Sequence, residues 1–222
     1  MPSLSRTCTL LFSLLAFTLA CRIPSAYAKA AGTAAEFNAA PASAFVKSLP
    51  SEGVTLVSTA AGSIKGIPGT VNPLLLAIDL STFIFTLKHC SQLELHVHTN
   101  GIEYNYIVSG SGSFSLWSSN GSIVHLKTTL HPGDVVIIPA GWPHMFSGPE
   151  NFPEPLVMEV TFTSANPQTY FVAGAGSFLS VSPGYVMASE FNATVAQYET
   201  FFGLAKSGGI VFNETCVATS RT

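Results

Sequence analysis

His96-Val97-His98 is followed after four residues by Glu103, and after six more by Gly110. Further along come Gly133, Pro139-Ala140-Gly141 and, two residues later, His144. Three imidazoles and one carboxylate make a mixed nitrogen and oxygen donor set. Such a set suits a borderline divalent metal such as manganese, iron or zinc. The chain has 6 histidines, and half of them fall in this pattern. The others, His89, His125 and His131, read as surface or turn residues.

Strands are needed to bring these side chains together. Alternate residues on a strand face the same way, so His96 and His98 project from one face. Thr99 to Ile102 read as a turn, and Glu103 opens the next strand beside the two histidines. Gly133-Asp134 is a turn signal, Val135 to Ile138 a buried strand, and Pro139 to Pro143 another turn that delivers His144. The full set of predicted strands is Val54–Ser58, Phe83–Lys88, Leu93–His98, Glu103–Ser109, Ser113–Trp117, Ile123–Thr129, Asp134–Ile138, His144–Ser147 and Leu156–Thr163. Ala60 to Asn72, rich in glycine and proline, reads as loop. Many short strands with Gly, Pro and Asn turns indicate an all-β sandwich or barrel.

The two histidine-bearing stretches resemble the paired motifs of the cupin superfamily, in particular its secreted germin-like and spherulin-like single-domain members. Pro73-Leu74-Leu75, Ser81-Thr82 and Leu87 to Cys90 resemble the lead-in of spherulin-type cupins. The barrel resemblance covers roughly residues 70 to 165 and continues more weakly to the C-terminus. It implies a jelly-roll barrel with short N-terminal helices and a C-terminal helical extension. It also implies that His96, His98, Glu103 and His144 ligate one metal, with manganese ahead of iron or zinc. Cys90 stands where the family's first motif usually has glycine. Paired C-terminal helices in related cupins clamp a neighbouring subunit, so the resemblance implies a homo-oligomer; from the residues alone, these helices either do that or cover their own barrel.

Composition bounds the rest. Arg6, the apolar run Thr9–Ala20 and Ala26-Tyr27-Ala28 read as a secretory signal peptide cleaved after Ala28. A secreted, extracellular protein with no membrane span after cleavage is expected. With Arg6 and Arg22 removed, seven basic groups face 12 acidic ones, which argues against nucleic acid as a partner. Cys90 and Cys216 then remain, either bridged or as two unpaired thiols; an oxidising compartment favours the bridge. Asn120, Asn192 and Asn213 begin N-glycosylation sequons. The expected organisation is a signal peptide over 1–28, short helices and loop over 29–72, the barrel over 73–165, and a helical extension and tail over 166–222. Thr33 with Glu36 and Thr194 with Gln197 have capping-box spacing, and Ser182-Pro183 can open a helix reaching Phe191.

In germins, such a site supports oxalate oxidase or superoxide dismutase activity, and in related two-domain enzymes oxalate decarboxylation. Three features oppose oxalate here. Leu93 stands where germins place asparagine and the decarboxylases arginine. Arg221 is the only arginine after the leader, so no guanidinium fork is at hand for a dicarboxylate. Ser164 to Gln168, where the decarboxylases have an acidic lid, has no carboxylate. A manganese cupin acting on superoxide or on a small acid bound to the metal is one expectation. A non-enzymatic extracellular metal-binding structural protein is the other. Leu93, Leu95, Val97, Tyr104, Tyr106 and Phe146 are candidates for an apolar wall, but with His96 and His98 inward, alternation turns Leu95 and Val97 outward. Glu94 is either an acceptor for an imidazole N–H or a rim carboxylate. Trp142 either closes the pocket mouth or simply packs.

Overall fold

The computed structural model describes residues 32–118, 126–174, 176–202 and 209–219. The leader, the sequon at Asn120, His125, Arg221 and the start of the strand expected from Ile123 lie outside the described residues.

The described chain begins with three short helical turns. They are α1 (Ala34–Ala39), a 3-10 turn (Ala42–Ala44) and α2 (Leu49–Glu52). The Thr33–Glu36 capping box closes α1 as expected. Then come β1 (Val54–Ser58), β2 (Gly62–Ile67), a 3-10 turn (Gly69–Val71) and α3 (Pro73–Ala77), which Asn72 caps. The strands that follow are β3 (Ser81–Leu87), β4 (Ser91–Leu93), β5 (His96–His98), β6 (Glu103–Ser109), β7 (Gly112–Leu116) and β8 (Leu126–Leu130). They continue as β9 (Val135–Ile138), β10 (His144–Ser147), β11 (Leu156–Phe162) and β12 (Thr169–Phe171). Last are α4 (Phe178–Val181), α5 (Gly184–Glu190), α6 (Val195–Phe202), β13 (Ile210–Phe212) and α7 (Glu214–Thr219). Among the described residues no helix is long and apolar enough to cross a membrane.

Two antiparallel sheets face each other. Sheet one runs β1-β2-β3-β11-β6-β9. Sheet two runs β12-β5-β10-β4-β13, with β7 on β10 and β8 on β7. Period-2 alternation sends one face of each strand inward. On β6, Glu103, Asn105 and Ile107 are buried while Tyr104, Tyr106 and Val108 face out. Between the sheets lies one apolar core that includes Phe83, Phe85, Leu87, Phe146, Met158 and Phe162. Burying each such side chain contributes about 1.5–3 kcal/mol. The all-β jelly-roll with short flanking helices is therefore observed.

Three readings of the chain change. Ala60 to Asn72 is not all loop, because β2 pairs with both β1 and β3. Gly66 signals close approach rather than a turn, since a Cβ there would overlap the Phe83 ring. The single strand expected over Leu93–His98 is broken at Glu94-Leu95. The β4 side pairs with β13 and the β5 side with β12. Ser182 does not open α5; its hydroxyl bonds back to Phe178 and closes α4. The Thr194–Gln197 capping box does start α6, and Phe191 and Tyr198 stack between α5 and α6.

Cys90 and Cys216 form a disulfide. It pins the tail beside β13, where the Asn213 N–H also donates to the Cys90 carbonyl at 2.7 Å. Cys90 has φ of 55°. That left-handed conformation favours glycine, which accounts for the glycine the motif usually has there.

Candidate metal centre

The broken strand is what aims the histidines. β10 pairs with β7 along its whole length, while its other edge is shared by β5, with His144 opposite His96, and by β4, with Ser147 opposite Gln92. Three imidazoles thus come from neighbouring strands of sheet two. Glu103 comes from sheet one, held between Phe162 of β11 and Ile138 of β9. The ring centroids of His96, His98 and His144 lie 4.2 to 5.4 Å apart. One ligand atom from each of the four residues lies within 4.8 Å of all the others, so the four could hold one metal ion.

The rings are fixed from behind. His96 Nδ1 donates to the Glu94 carbonyl at 2.6 Å, His144 Nδ1 to the Trp142 carbonyl at 2.9 Å, and His98 Nδ1 to the Gln168 carbonyl at 3.2 Å. Thr169 Oγ1 also lies 3.2 Å from His98 Nδ1. A carbonyl only accepts, so each Nδ1 carries a proton, and a neutral ring then has its lone pair on Nε2. Those Nε2 atoms face the carboxylate. His144 Nε2 lies 2.9 Å and His98 Nε2 3.2 Å from Glu103 Oε2. The Glu103 and His144 side chains are fully buried. Both Glu103 oxygens and the Nε2 atoms of His98 and His144 lack a well-formed hydrogen bond. Buried charge without partners is costly, so such a cluster fits a cation that all four donors share.

The electrostatics agree. Burial, then the neighbouring His144 and His98 rings, push His96 down to about 3 and keep it neutral. Burial alone would push Glu103 up, yet the His144 and His98 rings outweigh it and hold the carboxyl well below its ordinary range. Burial would lower His144, but the Glu103 carboxylate outweighs it and raises His144.

A cavity of about 190 Å³ adjoins the centre on the His96 and His98 side. Its buried lining includes Phe83, Phe85, Leu93, Phe162 and Gly209 beside the two histidines, and exposed Leu56 and Thr169 mark its rim. Leu93 therefore belongs to the wall as expected, and Phe146 is a core residue behind it. Tyr104 and Tyr106 do not belong to the wall. They are 42% and 41% exposed, because alternation from Glu103 turns them outward. Val97 and Leu95 are partly buried and off the cavity lining, as alternation from the two histidines predicts. The Glu94 carboxylate takes neither expected role: its backbone carbonyl serves His96, while the side chain is buried against Gly174. Burial raises its pKa, partly offset by a hydrogen bond with the Gly209 backbone. Trp142 packs against the core.

Sequence reasoning missed Phe162 and Phe171, whose rings lie 4.6 Å from His98 and 6.0 Å from His96. It also missed the three carbonyl acceptors, which carry no residue-type signal. Ser164 to Gln168 is tied down by Asn100, which bonds the Ser164 hydroxyl, the Asn166 carbonyl and the Gln168 N–H. That stretch orients His98 through the Gln168 carbonyl.

A set of donors that could hold a divalent metal, at the heart of a two-sheet jelly-roll, defines a cupin-type centre. The sequence profile of the Cupin family matches residues 51–199, and the chain belongs to that family. Among solved structures the chain is similar to a pumpkin seed globulin, at 16% identity and TM-score 0.68, over 75% of this chain and 43% of that one. It is also similar to a vicilin from Capsicum annuum, at 17% identity and TM-score 0.66, over 73% and 45% of the two chains. A vicilin from Solanum melongena, described with different anionic ligands in structurally similar pockets, matches at 16% identity and TM-score 0.67, over 75% and 45%. At such identities the likeness is one of fold, and the chain spans less than half the length of each of these structures. No curated sequence relative matches the chain.

Proposed function

We propose that this chain is a secreted, germin-like cupin that holds one divalent ion, manganese, on His96, His98, Glu103 and His144, and that a small molecule binds directly to that ion. The observation that carries the reading is the set of three Nδ1–H to carbonyl bonds, which leave three Nε2 atoms as donors, two of them within 3.2 Å of one buried carboxylate and all four ligand atoms within 4.8 Å of one another. A manganese ion held by these four residues would supply a Lewis-acidic, redox-capable centre. The protein's own contribution is to orient the imidazoles, to supply one neutralising carboxylate, and to limit water through the Phe162 and Phe171 walls. Superoxide fits as a reactant because it needs no clamp or lid. Oxalate fits poorly, since the described cavity lining offers no cationic side chain. The leader and the disulfide support secretion. Outward-facing Tyr104, Tyr106, Ile137 and Tyr185 support a homo-oligomer.

One observation favours a second reading, in which the metal is structural. Glu103 and the histidines come from opposite sheets, so an ion among them would staple the sandwich together. The test is metal analysis of protein purified from its secreting host, with superoxide and oxalate assays on the same sample and on His144→Ala. One equivalent of manganese and a dismutase signal lost with His144 support the enzyme. Loss of metal and of thermal stability with no activity to lose supports the staple. A full-length protein without metal contradicts both.

A further inference from the structure

The cavity beside the centre is apolar almost throughout. Phe83, Phe85, Leu93, Phe162 and Phe171 surround it, and its polar side chains are His96, His98 and Thr169. His96 and His98 are the two metal-facing residues on that side. Thr169 lies at the exposed rim, with its hydroxyl near His98 Nδ1. A ligand entering here meets one polar end, at the centre, and hydrocarbon everywhere else.

Charge balance adds a second constraint. A divalent cation with the Glu103 carboxylate and three neutral imidazoles carries a net charge of one positive unit. In a buried, apolar site this residual charge favours one monoanionic partner. A dianion would overshoot neutrality and press its second charge against aromatic and aliphatic walls without a donor. Size gives a third constraint: an apolar cavity of about 150 Å³ is enough to take up benzene, and this one measures about 190 Å³.

Resting on the metal reading above, we infer that the site's ligand is a small acid with one carboxylate at the metal and an apolar body, a single aromatic ring or short branched alkyl chain, in the Phe83–Phe85–Leu93–Phe162–Phe171 cavity. The arrangement selects against dicarboxylates and against monocarboxylates too short to fill it.

The test is calorimetric titration of the manganese-loaded full chain with benzoate, acetate and oxalate, after metal content has been measured. Benzoate should bind at least roughly tenfold more tightly than acetate, from the apolar surface its ring buries, and more tightly than oxalate. Val57, on β1, also lines the cavity and is none of the four donors, so Val57→Trp fills the cavity without replacing a ligand. It should leave metal content and acetate binding unchanged and weaken benzoate roughly tenfold or more. Leu56→Trp, at the exposed rim, gives the same readout should the first variant fold poorly. Oxalate binding as tight as benzoate, or benzoate affinity indifferent to both tryptophans, overturns the inference while the metal reading stands. Protein that takes up no manganese fails at the metal analysis, and both fall together.

Discussion

The two sheets divide the labour unequally. Sheet one is built on the seven-residue strands β3, β6 and β11, paired in long ladders. It gives the centre a single group, Glu103. Sheet two has three- and four-residue strands around the site, with the chain broken at Glu94-Leu95. It gives three imidazoles, and all three carbonyls that hold them lie in the turns beside its strands. The regular sheet supplies charge and a platform. The broken one supplies direction, because a bend between β4 and β5 frees the Glu94 carbonyl to hold His96.

This contrast makes the two contributions separable. The largest effect is expected at the ligands themselves. His144→Ala from sheet two and Glu103→Gln from sheet one should each weaken manganese binding roughly a hundredfold or more, measured by competition with a chelator. Retained affinity in Glu103→Gln alone would mean that the histidines of sheet two suffice.

On stability rather than metal affinity, the largest effect is expected at the clip on the broken sheet. The disulfide closes a sequence separation of 126 residues. Cys216→Ser should cost about 4–5 kcal/mol of stability in the chain-entropy account, measured by denaturant unfolding. A negligible change would show that β13 and α7 hold without it.

Acidity gives a smaller, two-sided effect. In metal-free protein His96 is held at about 3 against an ordinary 6.5, so the unfolded chain takes up its proton first and stability falls as pH drops below about 6.5. Glu103, held below its ordinary 4.5, adds stability that is lost as pH falls further. His144 is raised, so its contribution is fully present below 6.5 and is lost as pH rises through its folded value. Metal-free Tm should therefore peak near pH 6.5. Manganese should remove the alkaline decline by replacing the proton between His144 and Glu103. A metal-free Tm flat from pH 4 to 8 would contradict this.

The smallest effect tests the platform. Asn105 lies two residues from Glu103 on the inner face of β6, fully buried, and both of its amide atoms lack a partner. Asn105→Leu should stabilise the metal-free protein by about 1–3 kcal/mol, read from its Tm. Destabilisation would indicate that an internal water satisfies the amide.

The same contrast explains what could be read from the chain. β6 and β10 coincide with their predicted bounds, because strict alternation and turn residues mark long ladders and motif edges alike. In sheet two, β12 and β13 are three residues each, too short for a period to show, and both are anchored by partners far away in sequence. The four ligand types were legible because few residues can donate to a metal. The carbonyls behind them were not, since every residue has one. The wall was half legible: Leu93 followed from its place beside the motif, while Phe162 and Phe171 reach the histidines only through strand pairing. Tyr104 and Tyr106 were misplaced by nearness in sequence, where alternation from Glu103 already turned them out.

The most direct test is anomalous diffraction at the manganese edge from crystals of the metal-loaded protein. We expect one peak within coordination distance of Nε2 of His96, His98 and His144 and of a Glu103 carboxylate oxygen. A manganese peak elsewhere, or none among these four side chains, would contradict the account.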